Sequence, residues 1–253
     1  MLNAALMTVL WIWAVRLRNA DFASIGGCLG VSLDVLAELL WSGTPSPLAW
    51  SLAVALWLWA LRIVWYLGRR MIGKPEDPRY AAVRQVWRAR DRLMNAVWFG
   101  VFQLQGVLGV VFSLPVFLVC LHPLPQIGEA GTVGILLFAL GFVGESLAVI
   151  QLARDRASGR CGVYRKGLWA YSRHSNDFFE CVLWVGLAVG ALEVPYGAVA
   201  FLCPVLKLFF LLRRTGTSAT ETRALQSLGE DYRRYQREVS AFFPWVPRNS
   251  SRR

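Results

Sequence analysis

Polar positions cut the chain into seven apolar runs, at residues 3–15, 23–42, 47–67, 97–121, 131–152, 178–192 and 195–212. Crossing a bilayer core of about 30 Å takes a helix of roughly 20 residues, which most of these runs supply; the first and sixth are shorter. The pattern predicts an all-α, polytopic integral membrane protein with about seven transmembrane helices, built as a single domain over residues 1–253. Threading the chain through seven crossings brings Arg16 and Arg18, residues 69–92, residues 154–173 and everything after Arg213 to one face. The opposite loops, at 42–47, 122–130 and 193–196, contain no Lys or Arg. Of the 27 basic residues, Arg62 and Lys207 alone fall inside runs, so the asymmetry places the N-terminus outside and the C-terminus in the cytoplasm. A bacterial inner membrane and the endoplasmic reticulum both suit that topology.

Composition sharpens this picture. The chain of 253 residues is 56% hydrophobic with 12 Trp and a formal charge of +11. That is too apolar for an ordinary soluble domain. The basic charge follows the loops, so it reads as topology rather than as a nucleic-acid footprint, and membrane lipids are the expected surroundings. The first run lacks a basic start and is followed by Arg16-Leu-Arg18, which favours a first helix over a signal peptide. Cys28, Cys120, Cys161, Cys181 and Cys203 share no metal-like or redox-like spacing, so no metal site is expected. Two cytoplasmic segments are long enough for chemistry: residues 69–95, with an Arg-rich helix expected at 81–92, and residues 153–177. The tail adds Leu228-Gly-Glu-Asp-Tyr-Arg-Arg-Tyr235 and Ser240-Ala-Phe-Phe-Pro-Trp245, aromatics that suit a membrane interface.

Ionisable groups at the edge of hydrocarbon are costly and usually functional. Residues 167–180 read Gly-Leu-Trp-Ala-Tyr-Ser-Arg-His-Ser-Asn-Asp-Phe-Phe-Glu and set Arg173, His174, Asn176, Asp177 and Glu180 at the mouth of the sixth run. Asp34 and Glu38, four apart, share a helix face; Arg62, Gln103, Gln105, Glu145 and Gln151 also lie within runs. Two readings stand for these groups: mutual pairing as structural glue, with snorkelling for Glu38 and Arg62, or the lining of a polar cavity facing the cytoplasm.

The motif Gly167-Leu-Trp-x-Tyr-Ser-Arg-His-x-Asn-x-x-x-Glu180 resembles the signature of the steroid 5-alpha-reductase-like membrane proteins, and most closely their uncharacterised branch. Trp59-Ala-Leu-Arg62, Arg69-Arg70, Glu76-Asp-Pro-Arg-Tyr80, Leu104-Gln-Gly106, Ser113-Leu-Pro115, Glu145, Glu221 and Ser240-Ala-Phe-Phe-Pro244 extend the resemblance, in order, over roughly residues 55–248. It implies a seven-helix membrane fold that binds NADPH and reduces a carbon–carbon double bond conjugated to a carbonyl in a lipid-like substrate. Carried over by position, it assigns Arg62, Tyr66, Arg70, Glu145, Arg156, Arg173, Asn176 and Glu180 to the cofactor, with Asn176 and Glu180 on the carboxamide. Glu38 falls to the substrate carbonyl, and His174 to an acid or to capping and cofactor orientation. The physical chemistry agrees: a pyrophosphate and a 2′-phosphate call for guanidinium forks, and a carboxamide for a donor and an acceptor one helical turn apart.

Four positions depart from the family pattern: Ser175 replaces Pro, Asp177 replaces Tyr, Phe179 replaces Gly, and Val149 stands where the family has an aspartate. Asp177 adds negative charge beside an anionic cofactor, Val149 removes an acceptor, and Phe179 fills space that glycine leaves open. Two alternatives therefore accompany the reductase: an isoprenylcysteine-type methyltransferase using S-adenosylmethionine, and a catalytically degenerate paralogue acting as a membrane binding module.

Overall fold

The computed structural model describes residues 2–17, 19, 22–71, 91–159, 162–213 and 217–248, without the side chains of residues 70–71, 91–94, 212–213 and 217–220. Residues 73–80, most of the helix expected at 81–92, and Arg18, Arg160 and Cys161 lie outside the described residues. In chain order the α-helices are α1 (Leu2–Leu17), α2 (Phe22–Ser42), α3 (Pro47–Met71), α4 (Asp91–Leu121), α5 (Glu129–Ala157), α6 (Ser175–Ala191), α7 (Leu202–Arg213) and α8 (Thr217–Glu238). Two 3-10 turns, Gly167–Ala170 and Gly197–Phe201, precede α6 and α7. No strand occurs among the described residues; one isolated parallel bridge joins Ser172 to Ser240.

The all-helical expectation is borne out, and each apolar run falls in helical structure. Among the described residues, four helices are long and apolar enough to cross a membrane: Phe22–Ser42, Pro47–Arg69, Asn95–Leu121 and Glu129–Ala157. Leu2–Leu17 and Gly197–Leu211 are shorter apolar helices. Large apolar side chains stand exposed along the long ones, among them Leu40 at 74%, Trp41 at 67%, Leu61 at 66% and Leu136 at 64%. Water would penalise so much apolar surface, whereas hydrocarbon solvates it. Local signals set the helix ends. The Ser46 hydroxyl accepts from the Ala49 N–H at 3.2 Å, capping α3, and Pro47 occupies its first turn, where no N–H is needed.

The chain divides into two compact units, 1–128 with 191–197 and 129–190 with 198–253. In the first, α1, α2 and α4 pack around Met7, Ala14, Ala23 and Phe102. A polar seam runs through this apolar bundle. The buried Asn3 amide donates to Asp34 Oδ2 at 2.6 Å and to the Gly106 carbonyl at 3.1 Å. Gly30 and Gly109 leave room for it: a Cβ at either would approach Asn3 within 2.6 to 2.9 Å. One turn beyond Asp34, Glu38 accepts from the Ser113 hydroxyl at 2.6 Å. The two α2 carboxylates thus find an amide and a hydroxyl as hydrogen-bond partners.

In the second unit, α5 and α6 meet backbone to backbone. A Cβ on Gly134 would lie 2.6 Å from the Gly186 carbonyl, and one on Gly186 would lie 2.5 Å from the Phe138 nitrogen. Small residues that let helices touch are the usual device where lipid removes the hydrophobic drive for association. α8 is amphipathic. Ala224, Leu225, Leu228, Tyr232, Tyr235 and Val239 cluster with Val163 on one face, while Arg223, Glu230, Arg233, Arg234 and Arg237 are exposed on the other. At Gly229 the backbone turns to φ 55, ψ −125, breaking the helix at a conformation that glycine alone adopts without penalty.

Candidate functional site

The signature segment is anchored at both ends within the second unit. At its start, Gly167 has φ +59 and a Cβ there would meet the Gln151 amide at 2.5 Å, so glycine is required twice over. The Gln151 side-chain oxygen accepts from the Leu168 N–H at 3.0 Å, and the Trp169 indole donates to the Ala148 carbonyl at 2.9 Å. Both contacts seat the 3-10 turn on the end of α5. Gln151, noted in the sequence as a polar group inside a run, is thus the peg on which the motif hangs.

The tail then straps the same segment from the other side. The Arg173 N–H donates to the Ser240 carbonyl at 2.9 Å, and the Trp245 N–H donates to the Tyr171 carbonyl at 3.0 Å. The Ser172 hydroxyl donates to the Phe242 carbonyl at 2.7 Å, and the Tyr235 hydroxyl to the Trp169 carbonyl at 2.5 Å. The rings of Phe242 and Phe243 pack edge-on against Phe178 in the first turn of α6. Burial pushes the Tyr232 phenol up to about 12, with the Glu221 carboxylate adding to the effect, and burial likewise raises Tyr235. Both phenols therefore stay neutral hydrogen-bonding groups at physiological pH.

Between peg and strap lies a charged network. Arg173 Nε sits 2.9 Å from Glu221 Oε1 on α8, and its Nη1 donates to the Gln236 carbonyl at 2.8 Å. Glu221 Oε2 accepts from the Gln236 amide at 2.8 Å. The buried His174 ring stands between two carboxylates, with Nε2 at 3.3 Å from Glu221 and Nδ1 at 3.5 Å from Asp177. The Asn176 amide donates to Asp177 Oδ1 at 2.8 Å. One turn further along α6, Glu180 Oε1 is 2.6 Å from Lys207 Nζ on α7.

Of the residues that the sequence assigned, this network brings together Arg173, His174 and Asn176, while Glu180 pairs with Lys207. Glu145 is buried on α5, 5% exposed. Arg156 is exposed in the last turn of α5. Glu38, Arg62, Tyr66 and Arg70 belong to the first unit. Glu38 holds Ser113, Arg62 is half-buried with Tyr66 exposed one turn later, and Arg70 lies in the last turn of α3 with its side chain outside the described ones. Lys207 was read from the sequence only as a charge inside a run. An ionisable residue in such a place usually has a designated partner, and here the partner is Glu180.

The three departures within residues 167–180 each have a local reason. The Ser175 hydroxyl lies 2.8 Å from the Leu168 carbonyl and 2.9 Å from that of Ser172, bracing the turn into α6. Asp177 serves His174 and Asn176. The Phe179 ring occupies the space over Gly144 on α5, where any Cβ would strike it. The volume added at 179 is thus matched by the volume missing at 144.

A family model described as "Protein of unknown function (DUF1295)" matches residues 4–239. No curated protein and no solved structure matches the chain.

Proposed function

We propose that this chain, which belongs to the DUF1295 family of proteins of unknown function, is a polytopic membrane reductase. In this reading NADPH supplies hydride to a carbon–carbon double bond conjugated with a carbonyl in a steroid, isoprenoid or enoyl lipid. Seven spans surround a cytoplasm-facing cavity, with the C-terminus in the cytoplasm. The observation that carries the reading is the pair Asn176 and Glu180, half-buried one turn apart at the start of an apolar helix. An amide and a carboxylate so placed are the donor and acceptor that a carboxamide needs. Arg156, exposed at the end of α5, suits the cofactor phosphates as a forked donor, and the buried Glu145 adds an acceptor. Bound there, the cofactor would supply the hydride, while Asn176 and Glu180 orient the ring that delivers it. The resemblance to steroid 5-alpha-reductase-like proteins adds Arg62, Tyr66 and Arg70 to the cofactor set and Glu38 to the substrate side, on sequence alone.

A second reading, a degenerate paralogue serving as a membrane binding module, is favoured by one feature. Arg173 and His174 each lie within 3.5 Å of a carboxylate of Glu221 or Asp177, and Glu180 is held by Lys207. Thermal unfolding of the purified protein in detergent with NADPH, NADH or S-adenosylmethionine separates the readings. A ligand at a hundred times its dissociation constant stabilises the native state by about 2.7 kcal/mol. Stabilisation by NADPH that disappears in Arg156→Ala and Glu180→Ala supports the reductase. Stabilisation by S-adenosylmethionine alone replaces it with a methyltransferase, and a flat response to all three leaves the binding module.

A further inference from the structure

We infer that Lys207 is a positioning residue for the nicotinamide end of the cofactor, acting through Glu180; this rests on the proposed NADPH reading. Lys207 interrupts the apolar sequence Leu-Cys-Pro-Val-Leu-Lys-Leu-Phe-Phe-Leu-Leu of α7. Its ammonium sits 2.6 Å from Glu180 Oε1, with 22% and 12% of the two side chains exposed. A lysine in such a setting is retained only with a partner, because an uncompensated charge away from water is costly.

The pairing has two consequences for the site. A carboxylate offers about four acceptor positions, and the ammonium occupies one, on Oε1, leaving Oε2 for the N–H of a carboxamide. Fixing one oxygen also fixes the plane of the carboxylate, so the second is aimed before any ligand arrives, which lowers the ordering cost of binding. Lys207 is the one cation paired with Glu180 among the described residues. Without the ammonium, nothing holds Oε1, and the Glu180 carboxylate is free to swing away. That removes the aimed acceptor. The pair joins α6 to α7, so the aim of a residue in the signature is set by a helix outside it.

Binding of cofactor fragments to the full-length protein in detergent tests this. Because Lys207 acts at the nicotinamide end, Lys207→Met is expected to weaken NADPH and NADH by the same factor, about tenfold or more, as loss of a charge-assisted hydrogen bond does. Adenosine 2′,5′-bisphosphate, which lacks nicotinamide, is expected to bind as to wild type, and Lys207→Arg to keep most of the NADPH affinity. Glu180→Gln with Lys207→Met removes both charges and keeps an amide at 180. It is expected to be better folded than Lys207→Met and to recover part of the lost affinity, which covers the case of a single variant that does not survive purification. If wild type binds neither dinucleotide, the reductase reading itself falls. If wild type binds NADPH and Lys207→Met binds it equally well, only the role of Lys207 falls. Parallel loss of the bisphosphate would make Lys207 a general support of the fold, and loss of NADPH without NADH would put it on the 2′-phosphate; both overturn the inference.

Discussion

Glu221 is the keystone between the tail helix and the signature, and its removal has a calculable cost. One carboxylate meets Arg173 at 2.9 Å, the His174 ring at 3.3 Å and the Gln236 amide at 2.8 Å. Arg173 and Glu221 keep only 10% and 15% of their side-chain surface exposed, so solvent does little to screen the pair. Cutting one partner from a buried ion pair costs about 3–5 kcal/mol, most of it from the charge left behind. Glu221→Ala therefore strands the Arg173 guanidinium. The cheapest relief is release of the strap, because the remaining ties are single hydrogen bonds contributing about 1 kcal/mol each. Hydrogen exchange on the detergent-solubilised protein reads this directly. Amides of residues 221–248 are expected to exchange about a hundred- to several-thousandfold faster, with those of the α5–α6 pair unchanged. Glu221→Gln keeps an acceptor and should fall between wild type and alanine. The control is Glu230, which bridges Arg233 and Arg237 with about two-thirds of each side chain exposed. Its alanine variant should shift exchange by no more than roughly fivefold, since an exposed pair contributes up to about 1 kcal/mol. Equal responses at 221 and 230 would refute the buried-keystone argument.

Two further outcomes follow from the packing and from the phenols. Gly134→Val is expected to destabilise the protein by about 1–3 kcal/mol, lowering the melting temperature in detergent, because the contact at that point is the Gly186 carbonyl rather than a side chain that can turn away; an unchanged melt would show that α5 and α6 do not touch there. Tyr232, with its folded value raised to about 12 from 10, contributes stability that is complete below pH 10 and lost as the pH climbs from 10 towards 12. Absorbance at the tyrosinate band, followed together with strap exchange, should show strap release in that window, and release complete below pH 10 would contradict the assignment.

Helices and their order were readable from the apolar runs because lipid imposes a length and a composition on every span. Partners were not readable, because they depend on rotation and register that no periodicity encodes. Asp34 and Glu38 were placed on one face of α2, yet nothing in the sequence marked Asn3 or Ser113 as their companions. Phe179 looked like an obstruction until Gly144 proved to be the matching space on α5. Lys207 stood out as a charge in an apolar run, but its link to Glu180 joins residues on different helices. The strap was visible only as an aromatic tail, since its contacts are chiefly to backbone carbonyls that every residue possesses.

The strap also fixes an order of events during synthesis. Its hydrogen bonds to the signature's last turn span 63 to 74 positions of chain, from Arg173–Gln236 to Tyr171–Trp245. A ribosome adding about 5–20 residues per second needs roughly 3–15 seconds to make that stretch. For most of this interval Arg173 and His174 still lack Glu221, which lies 47 positions beyond His174. The polar cluster is therefore completed only after α6 and α7 have been synthesised. A nascent chain halted near residue 220 is expected to be unlatched.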